Sequence, residues 1–340
     1  MTQTFLTSRL PIVAAPMAGG ATTVALAAAA AEGGAFPFLA AGYKAPEALR
    51  DEVAALRGRT GDFGVNLFVP GRGEVDVVGF AAYAAAISDE LGAYGLKLGR
   101  VPAEDDDAWG AKLQVLREDP VPVVSLTFGL PPTSDIALLK RAGSAIVATV
   151  TTADEARAAD EAGVDALIVQ GPAAGGHSAT WDAQRRITDG STADTLAAVA
   201  AVSRLPLIAA GGVDGADAVR GLLSGGAEAV AVGTLLLRTD EAGTSETHRR
   251  ALASDEFDET VVTRVFTGRP ARALRNGFVD RHAHEEITAY PAVHHLTREL
   301  RARAGAAGDA DRLHLWAGTG YRAAKAEPVA QTIARLTAGL

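Results

Sequence analysis

The chain has 340 residues, no cysteine and a formal net charge of −9. That excludes disulfides, thiolate nucleophiles, zinc ribbons and iron–sulfur clusters, and it offers phosphodiester backbones no attractive field. Apolar residues make up 48% and aromatics 5%, so the core is filled by Ala, Val and Leu, and the length suits one α/β barrel with an insertion.

The stretch Leu10 to Ala31 is uncharged, but Pro11, Pro16, Gly19 and Gly20 interrupt it and most of its apolar residues are alanine, which argues against a membrane span. It reads as a strand from Pro11 to Ala15, a loop, and a helix capped by Thr22 or Thr23 that ends near Gly33-Gly34. No apolar core precedes a small-residue cleavage site at the amino terminus, so the expected location is the cytoplasm.

The same unit recurs. Ala35 to Leu39 precedes a helix from Pro46 to Leu56, and Asp62 to Leu67 is a third strand. Val121 to Thr127, Ser144 to Thr149, Ala166 to Gln170 and Leu207 to Ala210 follow, each succeeded by a helical pattern, and Ala229 to Val232 comes last. These eight runs are short and continuously apolar, as expected when helices cover both faces of a parallel sheet, and they predict a TIM (β/α)8 barrel. Residues 71–117 and 239–313 break the alternation. They hold an amphipathic helix around Val75 to Tyr94, an acidic turn at Glu104 to Asp107 and an Arg- and His-rich helical pattern. They are assigned to a smaller helical cap, with 1–70, 118–238 and 314–340 as the barrel.

Chemistry is expected at the carboxyl ends of the strands. There the sixth strand runs into Gln170-Gly-Pro-Ala-Ala-Gly-Gly-His177. Gly175 and Gly176 let backbone approach a flat ligand, and the imidazole of His177 can hold or move a proton. Gly211 and Gly212 end the seventh strand, and Ala231-Val232-Gly233-Thr234 ends the eighth. This is the phosphate position of such a barrel, where backbone N–H groups meet an anion without a lysine, although the glycines would also serve simply as tight turns. Asn66 and Gln170 bring two amides to the same rim, suited to a ring edge on which carbonyls and N–H groups alternate.

Other features carry less. His282, His284, His294 and His295 lack a metal-ligand spacing and read as a solvated helix face, so no metal site is expected. Gly318-Thr-Gly-Tyr-Arg-Ala matches a dinucleotide fingerprint, but too little chain follows for a βαβ unit. Arg264, Arg269, Arg272, Arg275 and Arg281 would serve a carboxylated substrate, a homodimer contact or solubility, with solubility the first expectation.

Several segments together carry a resemblance: Pro11-Ile-Val-Ala-Ala-Pro-Met-Ala-Gly-Gly, Gly64-Val-Asn-Leu-Phe, Val124-Ser-Leu-Thr-Phe-Gly-Leu-Pro, the Gly-Gly-His segment, Ala209-Ala-Gly-Gly-Val, Val232-Gly-Thr, Thr267-Gly-Arg-Pro-Ala-Arg and Leu315-Trp-Ala-Gly-Thr-Gly. In this order they resemble the nitronate monooxygenases, formerly 2-nitropropane dioxygenases. The resemblance implies bound FMN, with Ala15, Pro16 and Met17 beside its ring, contacts from Asn66, Gln170, Gly175, Gly212 and Ala231 to Thr234, and His177 as catalytic base. It implies oxidation of alkyl nitronates or nitroalkanes by O2 to a carbonyl compound and nitrite, with propionate 3-nitronate one candidate. Many members carry Glu where Ala173 stands and Gln where Ala231 stands. FMN-dependent NAD(P)H:quinone and enoyl-thioester reductases share several of the segments and are the alternative.

Overall fold

The computed structural model describes residues 6–71, 75–99, 102 and 104–340. The first five residues of the expected barrel portion, and 72–74, 100, 101 and 103 of the expected cap, lie outside the described residues.

Eight strands close into a parallel barrel: β1 (Ile12–Ala14), β2 (Phe36–Ala40), β3 (Gly64–Phe68), β4 (Val123–Thr127), β5 (Ala145–Val150), β6 (Ala166–Gln170), β8 (Leu207–Ala210) and β9 (Ala229–Val232). The ring is sealed where Ile12 pairs with Val230 and Ala14 with Val232. The eight apolar runs of the sequence are these strands, to within one or two residues. Val13, Phe36, Phe38, Val123, Val147, Ile168 and Ile208 fill the interior. Gly64 makes room for Phe38, since a Cβ at that position would lie 2.2 Å from the phenyl ring. The larger core lies outside the strands, where Leu49, Leu56, Leu139, Leu196 and Val219 pack helices onto the barrel wall.

The helical ring is built in an unexpected order. The helix Trp109–Glu118, which the sequence reading places in the cap, sends Leu113, Val115 and Leu116 into the barrel core and so belongs to the ring between β3 and β4. The last ring helix, Val329–Leu336, returns against the first, Val24–Glu32, only after residues 238–328 have built an outer layer.

That outer layer is not purely helical, a correction to the expectation for 239–313. It contains the helices Glu246–Ala253, Gly277–His282 and Ala292–Ala307, but also β10 (Thr260–Thr263) and β11 (Ala271–Leu274). These pair antiparallel, and β11 pairs in turn with β7 (Gly176–His177). Four-residue strands carry too few alternations to register as β, and Ala-Arg-Ala-Leu of β11 is made of helix formers, although Thr-Val-Val-Thr of β10 is wholly β-branched. The helix expected around Val75 to Tyr94 is two, Val77–Ala86 capped by Asp76 and Ser88–Gly92. Among the described residues no helix is long and apolar enough to cross a membrane.

Candidate active site

A cavity of about 640 Å³ lies over the carboxyl ends of the barrel strands, within the range of small-molecule sites. Every residue expected at the site lines it: Ala15 to Met17, Asn66, Gln170, Gly175 to His177, Gly211, Gly212, and Ala231 to Thr234.

The Gly-Gly-His loop is held from several sides. Gly176 has a φ of +73°, a left-handed conformation suited to glycine, and no atom lies within 4 Å of where its Cβ would stand. Gln170 donates from Nε2 to the His177 carbonyl at 3.2 Å and accepts from the Ala179 N–H at 2.8 Å. Both ends of this amide are therefore engaged in shaping the loop. Downstream, the buried Glu155 accepts from the Trp181 N–H at 2.8 Å, and Arg269 donates to the Thr180 carbonyl. Asn66 donates to the hydroxyls of Ser125 at 2.9 Å and Thr127 at 2.8 Å, which leaves its carbonyl oxygen for the cavity.

Beside this loop, at the end of β8, Gly211 and Gly212 take φ values of +113° and +71°. Gly233 precedes the 3-10 turn Thr234–Leu236. The segment after Ala317 closes this side: the Gly318 N–H donates to Thr234 Oγ1 at 3.0 Å, and the Thr319 N–H to the Ala173 carbonyl at 3.1 Å. The fingerprint-like Gly318-Thr-Gly thus forms a wall of the cavity and leads into a 3-10 turn at Tyr321–Ala323.

His177 is surrounded by rings. Centroids of Phe128, Tyr290 and Trp316 lie 5.7, 6.0 and 5.4 Å from its own. Its Nε2 meets Thr267 Oγ1 at 2.9 Å. Two buried guanidiniums stand nearby. Arg269 lies over Phe128, 4.0 Å from the ring centroid. Arg301, on the helix Ala292–Ala307, donates to the His294 carbonyl at 3.0 Å and to Thr297 Oγ1 at 3.0 Å. Among the described residues neither forms an ion pair with a carboxylate. Burial, then the charges of Arg269 and Arg301, push the His177 imidazole down to about 3, so it is neutral at physiological pH. Burial lowers both arginines only to about 10, and they stay cationic.

The arginines and histidines correct two expectations. Arg269 and Arg272 are each 5% exposed, so solubility is not their role. Arg272 ties β11 to the glycine loop through the Pro172 carbonyl at 2.9 Å. His282 and His294 are buried rather than on a solvated face: His282 meets Glu90 at 3.2 Å, and His294 stacks on Tyr43 with centroids 4.1 Å apart. Sequence reasoning missed Tyr43, Phe128, Thr267, Tyr290, Arg301 and Trp316. Tyr43 and Phe128 follow barrel strands closely and were open to discovery on that ground; the others come from the outer layer.

A family model described as nitronate monooxygenase matches residues 2–339. The chain belongs to the nitronate monooxygenase family. It is 32% identical over 327 residues to a probable nitronate monooxygenase of Staphylococcus aureus strain MSSA476, covering 95% of this chain and 92% of that protein. Among solved structures it is similar to nitroalkane oxidase from Streptomyces ansochromogenes, with a TM-score of 0.91 and 44% identity over 97% of this chain and 95% of that one. FabK from Thermotoga maritima has a TM-score of 0.74 at 26% identity, with coverage of 98% and 93%. Membership in the nitronate monooxygenase family makes the protein an oxidoreductase, and the cavity over its barrel is the candidate active site.

Proposed function

We propose that the protein oxidises alkyl nitronates with molecular oxygen, with FMN as its bound cofactor, giving a carbonyl compound and nitrite. The observation that carries this reading is the His177 imidazole, lining a glycine-rimmed cavity in the field of Arg269 and Arg301, which among the described residues form no ion pair with a carboxylate.

The residues present fit FMN. The backbone at Gly212, Gly233 and Thr234 would hold the phosphate without a side-chain cation, as parallel barrels do at their last two strands. The open face of Gly176 and the small side chains of Ala15 and Ala231 leave room for a flat ring, and the Asn66 carbonyl oxygen would accept from a ring N–H. When bound, FMN supplies the electron acceptor for the nitronate and the donor for oxygen.

The chain's own groups do the rest. His177, neutral and oriented by Thr267, would take the α-proton of a nitroalkane. The resulting anion would lie in the field of Arg269 and Arg301. That field stabilises nitronate but opposes imidazolium, so it favours the anion formed while working against protonation of the base. A preformed nitronate needs no base and gains the same attraction. Phe128, Tyr290 and Trp316 exclude water around the reacting carbon. Residues of 239–313 that line the cavity, among them His294 and Arg301, would act as the substrate cap, whereas among the described residues of 71–117 none lines it.

The test is a visible spectrum of the purified protein with and without added FMN, followed by oxygen uptake with ethyl nitronate and propionate 3-nitronate. His177→Asn is expected to abolish turnover of neutral nitroethane while sparing ethyl nitronate. Unchanged nitroethane turnover would remove the base assignment. The likeness to FabK supports a second reading, an FMN-dependent reductase using NAD(P)H with a quinone or enoyl thioester. Rapid anaerobic bleaching of the flavin by NADPH would favour it.

A further inference from the structure

The helix Ala153–Glu161 opens on Thr152-Ala-Asp-Glu155, the spacing of a capping box, in which the glutamate reaches back over the helix start. Thr152 Oγ1 accepts from the Glu155 N–H at 3.1 Å, as a cap should. The Glu155 carboxylate, however, divides its contacts. Its Oε2 accepts from the Thr151 N–H at 2.5 Å and from Thr151 Oγ1 at 2.8 Å, which closes the helix end. Its Oε1 turns away from the helix and accepts from the Trp181 N–H at 2.8 Å and from Thr180 Oγ1 at 3.3 Å, in the segment that follows His177. Capping alone has no use for this second pair of contacts.

The second pair leads to Arg269. The N–H of Trp181 and the carbonyl of Thr180 belong to one peptide group, and that carbonyl accepts from the Arg269 guanidinium. A planar amide thus stands between a buried carboxylate on its N–H side and a buried guanidinium on its carbonyl side. Each bond polarises the amide in the sense that strengthens the other. Among the described residues this is the one hydrogen bond the guanidinium makes, and Arg269 Nε is buried without a partner. A buried cation held by one hydrogen bond and the face of Phe128 depends on that anchor. Burial works against its charge, and of the carboxylates that support it Glu155 comes before the exposed Asp182. On the far side Arg185 donates to Thr151 Oγ1 at 2.7 Å, so Glu155 lies between two guanidiniums and pairs directly with neither.

We infer that Glu155 is a positioning residue: through the Thr180–Trp181 peptide it anchors the Arg269 guanidinium and so sets where that charge stands relative to His177 and a bound nitronate. For the nitronate, the inference rests on the proposed chemistry.

The test is a double-mutant cycle on FMN-loaded protein, read by oxygen uptake with ethyl nitronate. Glu155→Ala is expected to raise KM about tenfold, and Glu155→Gln, which keeps an acceptor for the Trp181 N–H, to raise it less. In the Arg269→Gln background either substitution should change KM by less than about twofold, because the group it acts through is gone. Should the alanine variant fail to fold, the glutamine variant completes the cycle. The His177 ring is faced by the charges of Arg269 and Arg301 and by the neutral His294. Its ¹⁵N signals should therefore titrate at a higher pH once Arg269 is released, whereas loss of the Glu155 charge acting directly would move them lower. If no nitronate is oxidised but that titration still moves upward, the chemistry falls and the anchor stands. Equal rises in KM in both backgrounds, or a His177 titration that stays in place or falls, would overturn the anchor.

Discussion

The Nε2 atom of His177 lies 2.9 Å from Oγ1 of Thr267, 90 positions further along the chain. The Thr267 hydroxyl also donates to the Arg269 carbonyl at 3.3 Å, so toward the imidazole it acts as acceptor, and Nε2 carries the proton. The tautomer of the proposed base is thereby set by a residue of the outer layer. Thr267→Val is expected to lower kcat for nitroethane about tenfold, the loss of one hydrogen bond in the transition state, while Thr267→Ser restores it. Equal kcat in wild type and the valine variant would mean that the hydroxyl does not orient the ring.

The low proton affinity of His177 has a kinetic signature. A base must be neutral to act, and with its pKa pushed down to about 3 the imidazole is neutral across the working range. The kcat/KM profile for nitroethane should therefore be flat from pH 5 to 8 on the acid side. Arg301→Gln removes one of the charges that depress His177 and should move the acid limb upward. A wild-type limb near pH 6.5 would show that the pocket does not perturb the imidazole.

The same physics makes the fold acid-sensitive. His177, His248 and His294 are held down to about 3, 4 and 2, and His314 well below its ordinary value, in each case chiefly by burial. Unfolded, each binds a proton near pH 6.5, so below that pH the unfolded state holds more protons and stability is lost as pH falls. The slope approaches about 1.4 kcal/mol per pH unit for each histidine. Thermal melts of the apoprotein between pH 7.5 and 5.5, above the carboxylate range, should show Tm dropping. His294→Phe, which preserves a ring on Tyr43, should reduce the slope; an unchanged slope would mean that His294 titrates normally.

Lys112 is 1% exposed, and its ammonium pairs with Asp107 at 2.7 Å and donates to the Ala41 carbonyl at 2.9 Å. Asp107 also accepts from the Tyr43 N–H at 2.9 Å, so the pair anchors the loop that carries Tyr43 over the cavity. Asp107→Ala leaves a buried cation unpaired and should cost about 3–5 kcal/mol. Lys112→Met, which removes the charge but keeps the stem, should cost less. Urea unfolding of the two variants measures the difference, and the reverse order would contradict this account.

Much of the barrel was legible because its strands are buried on both faces and read as unbroken apolar runs, such as Val164 to Val169. That the glycine loops, His177 and residues 231–234 line one cavity was legible for a related reason: strand ends fix where they point. What the sequence concealed lies in the outer layer. His282 and His294 sit among charged neighbours, and the partners that bury them, Glu90 and Tyr43, come from far along the chain. Arg269 and Arg272 are indistinguishable from surface arginines until the Thr180 carbonyl and the β11 pairing are seen to draw them inward. Thr267 and Trp316 reach His177 only through pairings between β7, β11 and Ala273 with Trp316, which no local periodicity encodes.

His177 belongs to β7, which pairs with β11 in the outer sheet and not with any barrel strand. The imidazole is therefore mounted on the ceiling of the chamber, while Gly211, Gly212 and Gly233 belong to the floor. A swing of the β10–β11 hairpin would carry the imidazole away from whatever rests below.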